Sequence, residues 1–330
     1  VVLVGGFGTR LRPLTLTIPK QMLPVASATM LERVVAHLGR HGVTRAVLAL
    51  GYQPEPFLAA HPDGRCAGVE LAYAVEPEPL DTAGAIGFAA RQAGIDDTFV
   101  VVNGDVLTDL DVADLVERHR AFGAEGTIAL TPVDDPSRFG VVPVDDDGRV
   151  EAFIEKPPAD EAPTNWINAG TYVLEPSVLD RIEPGRRVSI EREVFPAMVA
   201  DRTLFAVHHA GFWLDAGTPV AYLAAVRAHL DGTRAGDPAV VDGARIDAGA
   251  SVERSWIGAG AHVEAGARVV GSVVLPGARV GADASVTDSV VGPRAEVGPG
   301  AVVSQLTVVG ADSVVGPGAV LVEARIPEPA

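Results

Sequence analysis

Two kinds of apolar segment alternate through the first two-thirds of the chain. Val1–Val4, Arg45–Leu50, Val69–Val75, Thr98–Val102 and Thr127–Pro132 are short, aliphatic runs that read as buried strands. Between them, Met30–His41, Glu55–Ala60, Ala83–Ala93 and Val112–Phe122 place apolar residues at helical spacing. Such alternation predicts an α/β sandwich on a mainly parallel sheet, with ligands at the carboxyl ends of the strands. After Phe139 the pattern turns strand-rich, at Val141–Val144, Val150–Ile154 and Ala169–Leu174. Helices resume at Pro176–Ile182, Ile190–Ala200 and Pro219–Leu230.

A connector rich in Gly and Asp, Asp231–Pro238, precedes a change of texture. Apolar residues then recur at every sixth position, at Val240, Ile246 and Val252, at Ile257, Val263 and Val269, and from Val291 through Val297, Val303, Val309 and Val315 to Leu321. Small residues fill the intervals, as in Gly298-Pro299-Gly300-Ala301. This period is too long for one helical turn and wrong for a coiled coil. It predicts a parallel β-helix in which each hexapeptide forms one flat side with its aliphatic residue inward. Single-residue slips, from Val252 to Ile257 and from Val286 to Val291, are expected at corners. The chain therefore divides into an α/β domain over residues 1–232 and a repeat domain over residues 233–330.

Composition narrows the partners. A formal net charge of −17 excludes a nucleic-acid backbone as the natural ligand, yet leaves room for a nucleotide in a local cationic pocket. No apolar run approaches the ~20 residues of a membrane helix, so no membrane partner is expected. The chain enters its first strand at Val1 with no basic leader or cleavage site, and a few residues are expected to precede it. A single cysteine, Cys66, forms no internal disulfide, which makes a reducing cytoplasm the expected location. Lysine occurs only at Lys20 and Lys156. A chain that otherwise uses arginine has kept its two compact ammonium charges for particular places.

One of those places closes the segment Gly5-Gly6-Phe7-Gly8-Thr9-Arg10-Leu11-Arg12-Pro13-Leu14-Thr15, which runs on to Pro19-Lys20. Its glycines let the backbone approach a ligand and turn N–H groups toward phosphate oxygens. A dinucleotide fingerprint would need glycine where Leu11 stands, and a P-loop would need glycine where Pro19 stands. The segment instead resembles the signature of the sugar-1-phosphate nucleotidyltransferases. That resemblance implies a Rossmann-like nucleotidyltransferase fold followed by a left-handed β-helix of hexapeptide repeats.

The resemblance also implies roles. Gly5, Gly6, Gly8, Thr9, Arg10 and Lys20 would hold the nucleotide phosphates. Asp105, in Asn103-Gly104-Asp105, and Asp215, in Phe212-Trp213-Leu214-Asp215, would bind Mg²⁺, which prefers carboxylate and phosphate oxygens. Glu155-Lys156-Pro157 would bind sugar hydroxyls through Glu155 and the 1-phosphate through Lys156. Arg138-Phe139-Gly140-Val141 and Asn168-Ala169-Gly170-Thr171 would add contacts to the sugar, with Gly140, Asn168 and Gly170 as the contributing residues. Glu76 and Leu80-Asp81-Thr82-Ala83-Gly84 would read the base. A carboxylate at Glu76 suits guanine, whose N1–H and N2–H₂ are adjacent donors. Asp81 stands where the family commonly has glycine, so a positive φ there would be strained.

Arg10, Lys20, Asp105, Lys156 and Asp215 then form the expected catalytic set, without a general base. The expected reaction joins GTP and mannose 1-phosphate to give GDP-mannose and pyrophosphate. Thymidylyl or adenylyl transfer to glucose 1-phosphate is the alternative enzyme, and a regulatory nucleotide-sugar-binding homologue is the non-catalytic one. Activity in the repeats is disfavoured, because His262 is their sole histidine. The repeats are expected to act as a scaffold and to support a homo-oligomer. The eight histidines are read as structural, with His37, His41 and His119 on polar helix faces.

Overall fold

The computed structural model describes every residue except 52, 53, 233, 235, 329 and 330; Thr233 and Ala235 of the connector thus lie outside the described residues. Two compact units are present. One combines Val1–Gly6 with Glu32–Trp213, and the other combines Phe7–Leu31 with Leu214–Ala330.

The first unit is built on a 10-stranded sheet. At its centre Phe99–Asn103, Val2–Leu3, Arg45–Leu50 and Val69–Val75 run parallel, with Leu3 level with Ala49 on one side and Asn103 on the other. These are the aliphatic runs of the sequence, and parallel strands covered on both faces need such continuous apolarity. Antiparallel strands flank the centre. Trp166–Leu174 pairs with Phe99–Asn103, with Gly126–Pro132 and with Gly140–Val141, which in turn pairs with Ile154–Glu155.

The helix Asp81–Ala93 buries Ala83, Ala85, Ala89 and Ala90, and such small side chains let it lie close to its neighbours. A Cβ on Gly84 would come within 2.9 Å of the Arg186 carbonyl, so this helix and the 186–188 segment touch backbone to backbone. The helix Val112–Phe122 starts where the Asp111 carboxylate accepts from the Asp114 N–H at 3.0 Å, and ends at Gly123 in a left-handed conformation.

Several expected elements are modified. Val141–Val144 and Val150–Ile154 shrink to the strands Gly140–Val141 and Ile154–Glu155, because Val144 and Val150 meet only in an isolated bridge around the Asp145–Gly148 turn. Pro176–Arg181 is a 3₁₀ helix rather than an α-helix. The helix expected over Ile190–Ala200 begins as a π turn, Ile190–Val194, and becomes α-helical only at Phe195. Pro196 has no N–H to extend an α ladder back into that turn. His119 is no polar-face residue: it is 1% exposed and hydrogen-bonded to Thr127 and Glu175, whose polar atoms offset its burial.

The second unit contains the β-helix, as three parallel sheets of five strands each. Inward valines stack from coil to coil: Ile246, Val263, Val280, Val297 and Val315 along one sheet; Val252, Val269, Val286, Val303 and Leu321 along the next; Ile257, Val274, Val291, Val309 and Ile326 along the third. Fully burying each such side chain is worth about 1.5–3 kcal/mol. Val240 departs from the expected run. It is 39% exposed and only bridges Ile257, because no coil precedes it to close a core around it.

Partners in successive coils lie 17 residues apart until the last full coil, where the separation becomes 18. The shortened interval falls at the corner between Val286 and Val291, as the slip in the repeat predicts. There the backbone turns through single left-handed residues, Arg254, Asp288 and Glu323. The longer coil turns the same corner through two, Gln305 and Leu306. Buried hydroxyls line this corner: the Ser255 oxygen accepts from the Ser272 N–H at 2.9 Å, and the Ser272 oxygen from the Ser289 N–H at 3.1 Å. The helix Pro219–Leu230 is tied on by Arg227, which donates to the Asp288 carboxylate at 2.5 Å and to the Gly271 carbonyl. Among the described residues, no helix is long and apolar enough to cross a membrane.

Candidate active site

In the first unit, one edge of the sheet gathers much of the expected chemistry. Gly5, Glu76 and Asp105 each follow the carboxyl end of a parallel central strand. The strand ends are level: the Gly104 N–H donates to the Leu3 carbonyl at 2.9 Å and the Glu76 N–H to the Leu50 carbonyl at 2.7 Å. This is where strand topology leaves a crevice for ligands.

Glu76 is half-buried beside Gly5, with its Oε1 4.0 Å from where a Gly5 Cβ would stand. Its other oxygen accepts from the Leu80 N–H at 2.9 Å. Burial raises the Glu76 pKa, and the Leu80 hydrogen bond only partly opposes that rise. Asp81 has φ +62°, the strained conformation expected where the family has glycine. Its carboxylate accepts from the Thr82 N–H at 2.9 Å, the kind of local bond that makes Asp tolerable there.

The Thr82 side chain points into a structural network and not toward a base. Its hydroxyl donates to Glu191 at 2.7 Å and accepts from the Ile190 N–H at 2.9 Å. Ser189 donates to the same Glu191 oxygen at 2.9 Å, and the Val188 N–H donates to the Leu80 carbonyl at 3.0 Å. Residues 188–191 thus hold the turn that carries Glu76. This partnership, between residues 109 apart in the chain, left no signal in local sequence.

The sugar-phosphate candidates also converge within this unit. Gly140 faces Glu155 across paired strands, and a Cβ there would lie 2.6 Å from the Phe153 ring and 3.2 Å from a Glu155 carboxylate oxygen. Lys156 has φ +52° and is held by its N–H, which donates to the Phe139 carbonyl at 2.9 Å. Its ammonium is exposed and sits 2.9 Å from Glu155, so little strength comes from this pair as a surface ion pair. Asn168 and Gly170 form a bulge, where the register with Gly126–Pro132 shifts. The Asn168 side-chain Oδ1 accepts from the Gly170 N–H, while its Nδ2 donates to the buried Tyr172 hydroxyl, both at 2.9 Å. At Gly170, φ is +73° and a Cβ would meet Asn103 at 2.5 Å, so no side chain fits.

Gly8, Thr9, Arg10, Lys20 and Asp215 belong to the second unit. Gly8 is left-handed at φ +56°, and its carbonyl accepts from the Thr15 hydroxyl at 2.8 Å. A Cβ on Gly8 would sit 3.3 Å from the Lys20 Cβ, so the glycine brings the two ends of the loop together. Arg10 lies 3.7 Å from the Asp215 carboxylate, whose other oxygen accepts from the Gly217 N–H at 2.9 Å. Gly217 is also tightly enclosed: a Cβ there would stand 2.7 Å from an Asp215 oxygen and 2.8 Å from an Arg10 nitrogen.

Asp105, in the first unit, and Asp215, in the second, each offer only hard carboxylate oxygens, a donor type that suits divalent cations. Among the described residues, no group of three or more His, Cys, Asp or Glu side chains is arranged to hold a metal unaided. His209 bonds Asp109 at 2.9 Å.

Residues 1–232 match the Nucleotidyl transferase family, and residues 235–329 match the GMPPB C-terminal domain. A mannose-1-phosphate guanylyltransferase of Mycobacterium tuberculosis is 42% identical over 265 residues, covering 76% of this chain and 72% of that protein. Probable mannose-1-phosphate guanylyltransferase 1 of Oryza sativa subsp. japonica is 44% identical over 243 residues, covering 72% and 66% respectively. The matched region thus spans about two thirds of the rice relative's length. Among solved structures, HddC from Yersinia pseudotuberculosis complexed with GMP-PN superposes with a TM-score of 0.59 at 29% identity, over 68% of this chain and 96% of that one. Nucleotidyltransferases of this family generally use a divalent metal ion. By its family match over residues 1–232, this chain belongs to the Nucleotidyl transferase family.

Proposed function

We propose that this protein transfers a guanylyl group from GTP to mannose 1-phosphate, releasing pyrophosphate and GDP-mannose. The observation that carries the reading is the shared sheet edge on which Gly5, Glu76 and Asp105 follow level strand ends. The names of the guanylyltransferase relatives favour guanine and mannose. Residues 1–232 are assigned to catalysis and 233–330 to a scaffold that supports a homo-oligomer, in a cytoplasmic protein.

The sugar 1-phosphate needs no general base, since its second pKa lies near ~6 by analogy with phosphomonoesters. One of its oxygens attacks the α-phosphorus in line, the bond to the β-phosphate bridging oxygen breaks, and pyrophosphate carries off the electron pair. The chain contributes positioning and charge. Lys156 binds the sugar phosphate and Glu155 the sugar hydroxyls. Gly5, Gly6, Gly8, Thr9, Arg10 and Lys20 bind the nucleotide phosphates, and Glu76, with the Asp81–Thr82 backbone, binds the base. Asp105 and Asp215 are the carboxylates assigned to Mg²⁺, which when bound supplies neutralisation of phosphate charge.

Incubation with Mg²⁺, mannose 1-phosphate and each NTP in turn tests this. Pyrophosphate should appear fastest with GTP; a clear preference for dTTP or ATP would sink the guanine assignment. Lys156→Met should impair use of the sugar phosphate while GTP binding persists, and full activity in that variant would remove the role given to Lys156.

A further inference from the structure

Two segments of the proposed sugar-phosphate pocket rest on a single indole. The Trp213 ring is packed beside the cluster of Leu110, Leu115, Ala129, Ala169 and Val173. Its Nε1–H donates to the Ala169 carbonyl at 2.8 Å. Ala169 lies inside the bulge between Asn168 and Tyr172, where the ladder to Gly126–Pro132 is interrupted and a strand carbonyl needs another donor. Its two neighbours in sequence are Asn168 and Gly170, the bulge residues assigned to the sugar. On another side, the indole meets the Phe139 ring edge to face, with centroids 5.6 Å apart at 77°. Phe139 supplies the carbonyl that holds the Lys156 N–H at 2.9 Å and so helps to fix a lysine at the sparsely populated φ of +52°.

We propose that Trp213 is a positioning residue for the sugar 1-phosphate: its N–H sets the Asn168–Gly170 bulge, and its ring packs against the side chain of Phe139, the residue whose carbonyl fixes Lys156. This inference rests on the sugar-phosphate reading of those residues. It separates two functions of one side chain. The ring fills the core, whereas the N–H fixes one backbone oxygen, and Trp213→Phe removes the second while largely keeping the first. A pocket wall shifted by even a fraction of an ångström weakens binding of the group that it contacts. The nucleotide contacts assigned to Glu76 and the glycine loop share no bond with the indole N–H.

Steady-state pyrophosphate release by W213F, with each substrate varied in turn, gives the test. KM for mannose 1-phosphate should rise fivefold or more, while KM for GTP and kcat stay within twofold of the wild type. An unchanged KM for the sugar phosphate overturns the proposal. So does a parallel change in both KM values and kcat, which a merely structural role would produce. A second measurement does not depend on W213F folding. In W166F/W256F, Trp213 is the only indole left, and saturating GDP-mannose should shift its emission beyond the shift given by GDP alone. Equal shifts from the two ligands would also overturn it. Turnover by the wild type decides the proposed function by itself, and these comparisons decide the role of Trp213.

Discussion

The Leu80 N–H makes Glu76→Gln a directional experiment. In the native chain, that N–H takes one lone pair of Glu76 Oε2 at 2.9 Å, leaving Oε1 free to accept. A glutamine here can satisfy Leu80 only with its carbonyl, so the amide flips one way and its NH₂ replaces Oε1. Guanine would then bring its N1–H and N2–H₂ donors against another donor. A hydrogen bond to a charged group contributes about 1.5–3 kcal/mol, so its loss should lower kcat/KM for GTP roughly 10- to 150-fold. A pyrimidine carbonyl meets the same NH₂ favourably, so dTTP should improve and the preference should narrow from both sides. Pyrophosphate release with GTP and dTTP at fixed mannose 1-phosphate measures the ratio. If E76Q leaves the GTP/dTTP ratio of kcat/KM within twofold of the wild type, Glu76 does not read the base.

Four further outcomes are expected. Because burial raises the Glu76 pKa, KM for GTP should begin to climb, as pH falls, at a higher pH than an exposed glutamate would give, and E76Q should flatten that profile. The sign for stability is opposite: the neutral acid fits its site better, so raising the pH through the same window weakens the fold, as stability curves at several pH values would show. His37 is lowered to about 4 by burial and by neighbouring His41, so stability should fall as the pH drops from 6.5 toward that value, and His37→Asn should blunt the loss in thermal melts. Gly140→Ala forces a methyl group to within 2.6 Å of Phe153; overpacking of about 1–3 kcal/mol should lower the melting temperature and raise KM for the sugar phosphate, with GTP little affected.

Much of the fold was legible because it obeys short periods. Arg45–Leu50, Val69–Val75, Glu55–Ala60, Val112–Phe122 and Pro219–Leu230 occupy the expected spans, and the inward valines of the β-helix follow the six-residue step. Val240 escaped because burial there needs a preceding coil, which periodicity cannot report. The corner hydroxyls did leave a trace: Ser255, Ser272 and Ser289 recur at 17 residues, visible once the coil and not the hexapeptide is taken as the repeat. Of the candidate site, the sequence shows only contiguous motifs, as at Glu155-Lys156. The site was not legible where its support is long-range, as in the Thr82–Glu191 bond or the Trp213 N–H on Ala169. Nor does a motif show backbone conformation. The left-handed Lys156 has no counterpart in residue type, whereas the left-handed Asp81 stands where glycine is usual.

The two left-handed residues at Gln305 and Leu306 show how the β-helix tolerates changes in length. An extra residue placed on a flat side would turn every following side chain over, sending valines outward and polar residues in. At the corner, the added residue is taken up by a second left-handed step, and Val303 and Val309 keep their stacking on Val286 and Val291. Single insertions and deletions should therefore be almost silent at corners and ruinous on faces. Gene lineages of this solenoid should drift in coil length one residue at a time, with every change confined to its three edges.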